Sequence, residues 1–129
     1  MKNSKLILFV GLGIAFWYQA AMIIKIFGTS VFTKDNPKLI LFFFLAIPIT
    51  IVSMYITALL TKLKLYELLR PVVIMTFTAT FLDGIALIWF RHLYSDSFEV
   101  ALHGAAWILW GAGLGLLFAY VLETKNAKV

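Results

Sequence analysis

The chain has 129 residues, 63% hydrophobic and 13% charged, with a formal net charge of +5 and a mean hydropathy of +0.99. A soluble domain carries roughly a quarter charged residues, so this composition describes an integral membrane protein with one compact domain over residues 1–129. The lack of cysteine excludes disulfides, thiolate metal sites and cysteine-linked haem.

Met1-Lys2-Asn3-Ser4-Lys5 followed by an apolar run has the look of a secretory signal. The small-residue cleavage region is replaced by Phe16-Trp17-Tyr18-Gln19, and the apolar run continues to Ile26. That length crosses a bilayer, so a retained first helix is expected over about 5–27. Gly28 to Pro37 forms a turn-rich connection, with Asn36 as N-cap and Pro37 at the first helical position. A second helix is expected over about 38–61, with Pro48 inside it as a kink or a freed carbonyl. Thr50, Ser53, Thr57 and Thr61 make one hydroxylated face, either bonded back to their own helix or lining a substrate path.

Lys62 to Arg70 is a short basic connection, and Pro71 opens a third helix over about 71–90. Arg91 to Phe98 follows, in which Asp96 as N-cap and Glu99 three residues on form a variant of the capping box. The fourth helix is expected over about 97–122. The fold implied is all-α, an antiparallel up-down-up-down bundle of four transmembrane helices. Lys2, Lys5, Lys62, Lys64, Arg70, Lys125 and Lys128 fall on the side of the termini, against Lys25, Lys34, Lys38 and Arg91 on the other. Seven against four places both termini in the cytoplasm. Trp17, Trp89, Trp107 and Tyr94 then sit toward the outer half, as in an interfacial aromatic belt.

The one carboxylate well inside an apolar span is Asp83. A charge at bilayer depth costs on the order of 2.5–3.5 kcal/mol, so it needs a partner, a proton or water. Helix rise puts Asp83 and Gln19 both about 12 Å below the outer surface and His103 about 6–9 Å below it. These three converge in an antiparallel bundle, with Tyr18 and Trp107 nearby and with Thr76 and Thr80 extending the polar stripe. Asp83 then clasps helices together by accepting hydrogen bonds, or stays protonated at neutral pH, or loads and releases a proton or cation with His103 as relay.

Gly111, Gly115 and Ala119 recur at intervals of four on the fourth helix and offer a face for close helix approach, within the chain or from another subunit. Gly11 and Ala15 are a lesser version of that pattern. Gly111-Ala112-Gly113-Leu114-Gly115 is no nucleotide loop, since no strand precedes it and no ribose-binding acid follows. His92 and His103 are the only histidines and have no metal-ligand spacing, so neither a metal nor a cofactor is expected. No serine, histidine and acid form a hydrolytic arrangement, which leaves a non-enzymatic protein. The expected partners are membrane lipid and either a second copy or another membrane protein. Nucleic acid is excluded, because no basic segment interleaved with aromatics is long enough to bind it.

The run Ala79-Thr80-Phe81-Leu82-Asp83-Gly84-Ile85-Ala86-Leu87 with Trp89, Phe90 and Tyr94, followed by Trp110-Gly111-Ala112-Gly113-Leu114, resembles an uncharacterised family of small four-helix bacterial membrane proteins. The resemblance implies a four-span protein of the bacterial cytoplasmic membrane and no known activity. Small multidrug exporters are similar in length but carry an embedded glutamate in helix one, where this chain has Gln19. Small fluoride channels are also similar in length, but their helix-breaking Asn and Phe motifs are not evident here. Two functions follow: a small scaffold or accessory subunit associating through helix four, or a proton- or cation-coupled transporter with Asp83 as the coupling carboxylate.

Overall fold

Four stretches of the chain are so continuously apolar that helical hydrogen bonding satisfies their peptide groups without water. The computed structural model describes residues 3–127, and the four stretches form α1 (Asn3–Val31), α2 (Pro37–Thr61), α3 (Leu69–Trp89) and α4 (Phe98–Ala127). The protein is all-α, and each of these helices is long and apolar enough to cross a membrane. Lys2 and Lys128, which enter the charge count, lie outside the described residues.

α1 runs past Phe27 to Val31 through a break at Gly28, whose φ of 39° suits a residue without a side chain. The chain bends there because Val31 and Phe32 are drawn into the core, where both are fully buried. α2 begins as its signals require. The Asn36 carboxamide oxygen accepts the Lys38 N–H at 2.9 Å, and Pro37 needs no acceptor in the first turn. α3 starts at Leu69, two residues before Pro71, because a proline in the first turn interrupts no helical hydrogen bond. α4 is capped by Ser97 rather than Asp96. The Ser97 hydroxyl accepts the Val100 N–H at 3.3 Å, while Glu99 turns outward to accept the Lys34 N–H at 2.8 Å. The Asp96 carbonyl instead accepts Arg91 Nη2 at 3.1 Å, and that guanidinium lies 3.7 Å over the Phe98 ring.

The close approaches between helices set their order around the bundle. α1 packs along α3, and α2 along α4. Both pairs run in the same direction. A Cβ on Gly13 would lie 2.8 Å from the Met75 carbonyl, and Trp17 bonds Tyr94 just beyond the end of α3. Trp107 and Trp110 reach Phe42 and Phe43, while Gly115 approaches Thr50. α1 also packs against α2, and α3 against α4, so that α2 and α3 face each other across the bundle. Two apolar clusters close its ends. One gathers Ile24, Phe32, Ala46, Tyr94 and Trp107, and the other Met54, Leu68, Val72 and Ala119.

Pro48 has no N–H to give α2, which leaves the Phe44 carbonyl, four residues back, without its helical donor, while the helix runs on unbroken from Pro37 to Thr61. The indole N–H of Trp107 donates to the Phe42 carbonyl at 2.9 Å, and that of Trp110 to the Phe43 carbonyl at 2.8 Å. These two bonds, to the carbonyls just before that of Phe44, tie α4 to α2.

Candidate functional site

Asp83 lies six residues before the end of α3, about 9 Å along the axis, and is only 8% exposed. Its partner comes from the connection after α3. A short 3₁₀ turn, Arg91–Leu93, folds the chain back, and the Tyr94 N–H closes it on the Arg91 carbonyl at 2.9 Å. Tyr94 is fully buried, and its hydroxyl donates to Asp83 Oδ1 at 2.5 Å. The same hydroxyl accepts the Trp17 indole N–H at 2.9 Å. Burial, and then the Asp83 carboxylate it faces, push the Tyr94 hydroxyl well above the usual tyrosine range, so it remains a donor. The Trp17–Tyr94–Asp83 chain therefore joins α1, the α3–α4 connection and α3 through one buried carboxylate.

Asp83 also looks into a cavity of about 220 Å³, which all four helices line between the two apolar clusters. Its walls are mostly apolar, with Phe16, Trp17 and Trp107 near the Asp83 end and Thr57 and Val72 toward the other. Gln19, Ile49 and Thr80 line the cavity and are at the same time exposed. They come from α1, α2 and α3, so the cavity opens sideways between α2 and the α1–α3 pair.

Four of the five hydroxyls of this wall, all but that of Thr76, are engaged with their own helices. Thr50, Ser53 and Thr57 donate to the Ala46, Ile49 and Ser53 carbonyls at 2.6, 2.8 and 2.8 Å, and Thr80 to the Thr76 carbonyl at 2.7 Å. Having given their protons away, these oxygens have only lone pairs left for the cavity.

Of the polar residues nominated by the sequence, Asp83, Gln19, Thr76 and Thr80 share this cavity. Tyr18 does not. It is 55% exposed on the outside of α1, its ring tilted against Trp17. His103 is not among the lining residues either, and its Nδ1 donates to the Glu99 carbonyl one turn back at 2.7 Å. Gly111 and Gly115 line the cavity, and a Cβ on Gly111 would meet nothing within 4 Å. Ala119 is fully buried with Met54, Leu68 and Val72. No group of three or more His, Asp or Glu suited to a metal occurs among the described residues.

Two residues of the site escape a reading by helix depth. Tyr94 looks like an interfacial aromatic because it follows the helix, and only the folding back of a short connection turns it inward. Trp17 also reads as a belt residue, although it has a single N–H that a buried indole must place. Its signal was the depth it shares with a lone acid. Trp107, expected near Asp83, does line the cavity.

No curated protein and no solved structure matches the chain. Residues 31–126 match DUF5367, a family of unknown function. The match contains Asp83, Tyr94, the whole of α2 and α3, and all but the last residue of α4. The chain belongs to that family.

Proposed function

We propose that this is a small, non-enzymatic integral membrane protein, an accessory or scaffold subunit. In this reading α1 to α4 are its membrane spans, and Asp83 is a structural clasp rather than a reactive group. The observation that carries the reading is the Trp17–Tyr94–Asp83 chain, which satisfies the one deep carboxylate from inside the protein. The membrane assignment is supported by the exterior of the bundle, where Leu59, Ile88 and Phe98 stand more than two-thirds exposed. Such a surface suits acyl chains and membrane-protein partners. The excess of Lys and Arg on the side of the termini supports a cytoplasmic location for both, in a bacterial cytoplasmic membrane.

The test compares two variants of the purified chain. Tyr94→Phe removes the donor and leaves the carboxylate buried without it, so the thermal unfolding midpoint falls. Asp83→Asn keeps an acceptor oxygen, so its loss is smaller. Unchanged midpoints in both variants contradict the clasp.

A second reading, a proton- or cation-coupled transporter, is favoured by the cavity that reaches Asp83. It requires pH-dependent flux in proteoliposomes that Asp83→Asn abolishes. Undiminished flux in that variant removes Asp83 from the coupling role.

A further inference from the structure

We propose that the cavity beside Asp83 is a binding site for a small lipophilic amine in its ammonium form, entering sideways from the bilayer. The inference rests on the reading of the four helices as membrane spans. It needs the cavity and not turnover, so it holds for a subunit that merely senses such a molecule as well as for one that carries it.

The chemistry of the wall selects the charge of the occupant. One oxygen of Asp83 takes the Tyr94 hydroxyl, and the carboxylate, acceptor-only when ionised, has further lone pairs at the cavity end. The N–H groups of Trp17 and Trp107 are already donated, to Tyr94 and to the Phe42 carbonyl. The hydroxyls of Thr50, Ser53 and Thr57 are likewise committed to helix carbonyls and present acceptors only. The lining still offers the N–H groups of Gln19 and the hydroxyl of Thr76 as donors, but both are neutral, and its only charged group is the Asp83 carboxylate. An anion is therefore disfavoured there. A group carrying several N–H donors and a positive charge finds a carboxylate, with the rings of Phe16, Trp17 and Trp107 around it. Aromatic faces attract an ammonium through their quadrupole, more strongly where water is excluded.

Volume and access select the rest of the molecule. A buried cavity of about 150 Å³ takes benzene. By that scale the space of about 220 Å³ here holds on the order of ten non-hydrogen atoms, with an apolar body against Val72, Met75 and Ile108. The side opening at Gln19, Ile49 and Thr80 faces the acyl region rather than the aqueous ends, which favours a molecule that partitions into the bilayer.

The probe is 2-phenylethylamine, an ammonium at neutral pH, and the comparison is 2-phenylethanol, nearly the same shape without the charge. Both are titrated against the full chain in lipid nanodiscs by tryptophan fluorescence, with empty nanodiscs correcting for partitioning. The amine is expected to bind saturably and at least tenfold more tightly than the alcohol. Asp83→Asn should erase that tenfold preference. Gly111→Leu should abolish binding of both probes while the helical circular dichroism is retained, because its side chain enters open space in the cavity. Equal affinities for the two probes, no saturable binding, or a Gly111→Leu chain that binds normally each overturn the proposal. Should Asp83→Asn fail to fold, the comparison of probes and the Gly111→Leu variant still decide. The clasp fails separately, through an unchanged unfolding midpoint in Tyr94→Phe.

Discussion

Tyr94 concentrates two demands on one hydroxyl, accepting from Trp17 and donating to Asp83. A buried acceptor left without its donor costs about 1–3 kcal/mol, more when charged. Tyr94→Phe should therefore destabilise the chain by at least that range, read as a fall in its unfolding free energy. Trp17→Phe should cost less, about 0.5–1.5 kcal/mol, the usual net value of one hydrogen bond, because the Tyr94–Asp83 bond survives it. Asp83 was legible in the sequence because a lone acid inside an apolar run is costly wherever it sits. Its partner was not, because depth along neighbouring helices points to Gln19, Tyr18 and His103. The group that arrives comes from a connection of eight residues, 90–97, that folds inward. Rotational position on a helix decides the rest. Tyr18 and Trp17 are adjacent in sequence, yet one faces outward and the other faces the carboxylate.

The helices meet where side chains are smallest or missing. At Gly13 an added Cβ would press on the Met75 backbone carbonyl at 2.8 Å, and at Gly104 on the fully buried Ile24 side chain, also at 2.8 Å. Gly13→Ala should therefore cost about 1–3 kcal/mol, as overpacking does. Gly104→Ala should cost about the same, since Ile24 is branched at Cβ and its Cγ atoms cannot swing away. Gly11→Ala has open space around it and should be neutral or stabilising. Paired unfolding curves of the three variants check the order. The spacing of Gly11 and Ala15 drew the eye to one face of α1, but the approach to α3 is made at Gly13. A regular interval marks a face without saying which helix lies on it. Pro48 was a nearer sign: the two indoles of α4 bond α2 at Phe42 and Phe43, beside the Phe44 carbonyl that the proline leaves without a donor.

At the scale of the whole molecule, length, hydropathy and short connections made the four helices plain in the sequence. Their arrangement was not. Hydropathy carries no record of which helix neighbours which, and here the non-sequential pairs α1–α3 and α2–α4 pack along each other. The cavity follows from that arrangement, because α2 and α3 stand opposite one another and leave space between them. In the proposed topology, single cysteines at Lys64 and Lys125 are labelled by an impermeant maleimide from one side of the membrane. Cysteines at Lys34 and Asp96 are labelled from the other. Labelling of all four from the same side would contradict four spans. The absence of native cysteine makes each signal unambiguous.

In the proposed clasp Tyr94 and Asp83 act as one unit holding the bundle together. A double-mutant cycle of Tyr94→Phe and Asp83→Ala, with unfolding free energies measured in one lipid or detergent environment, reads their coupling. Residues joined in one hydrogen-bond network couple by about 0.5–3 kcal/mol, whereas independent sites add to within about 0.5 kcal/mol. The double variant should be less destabilised than the two singles together, by about 1 kcal/mol or more. Losses that simply add would show that the two side chains stabilise the protein independently, and the clasp would be wrong.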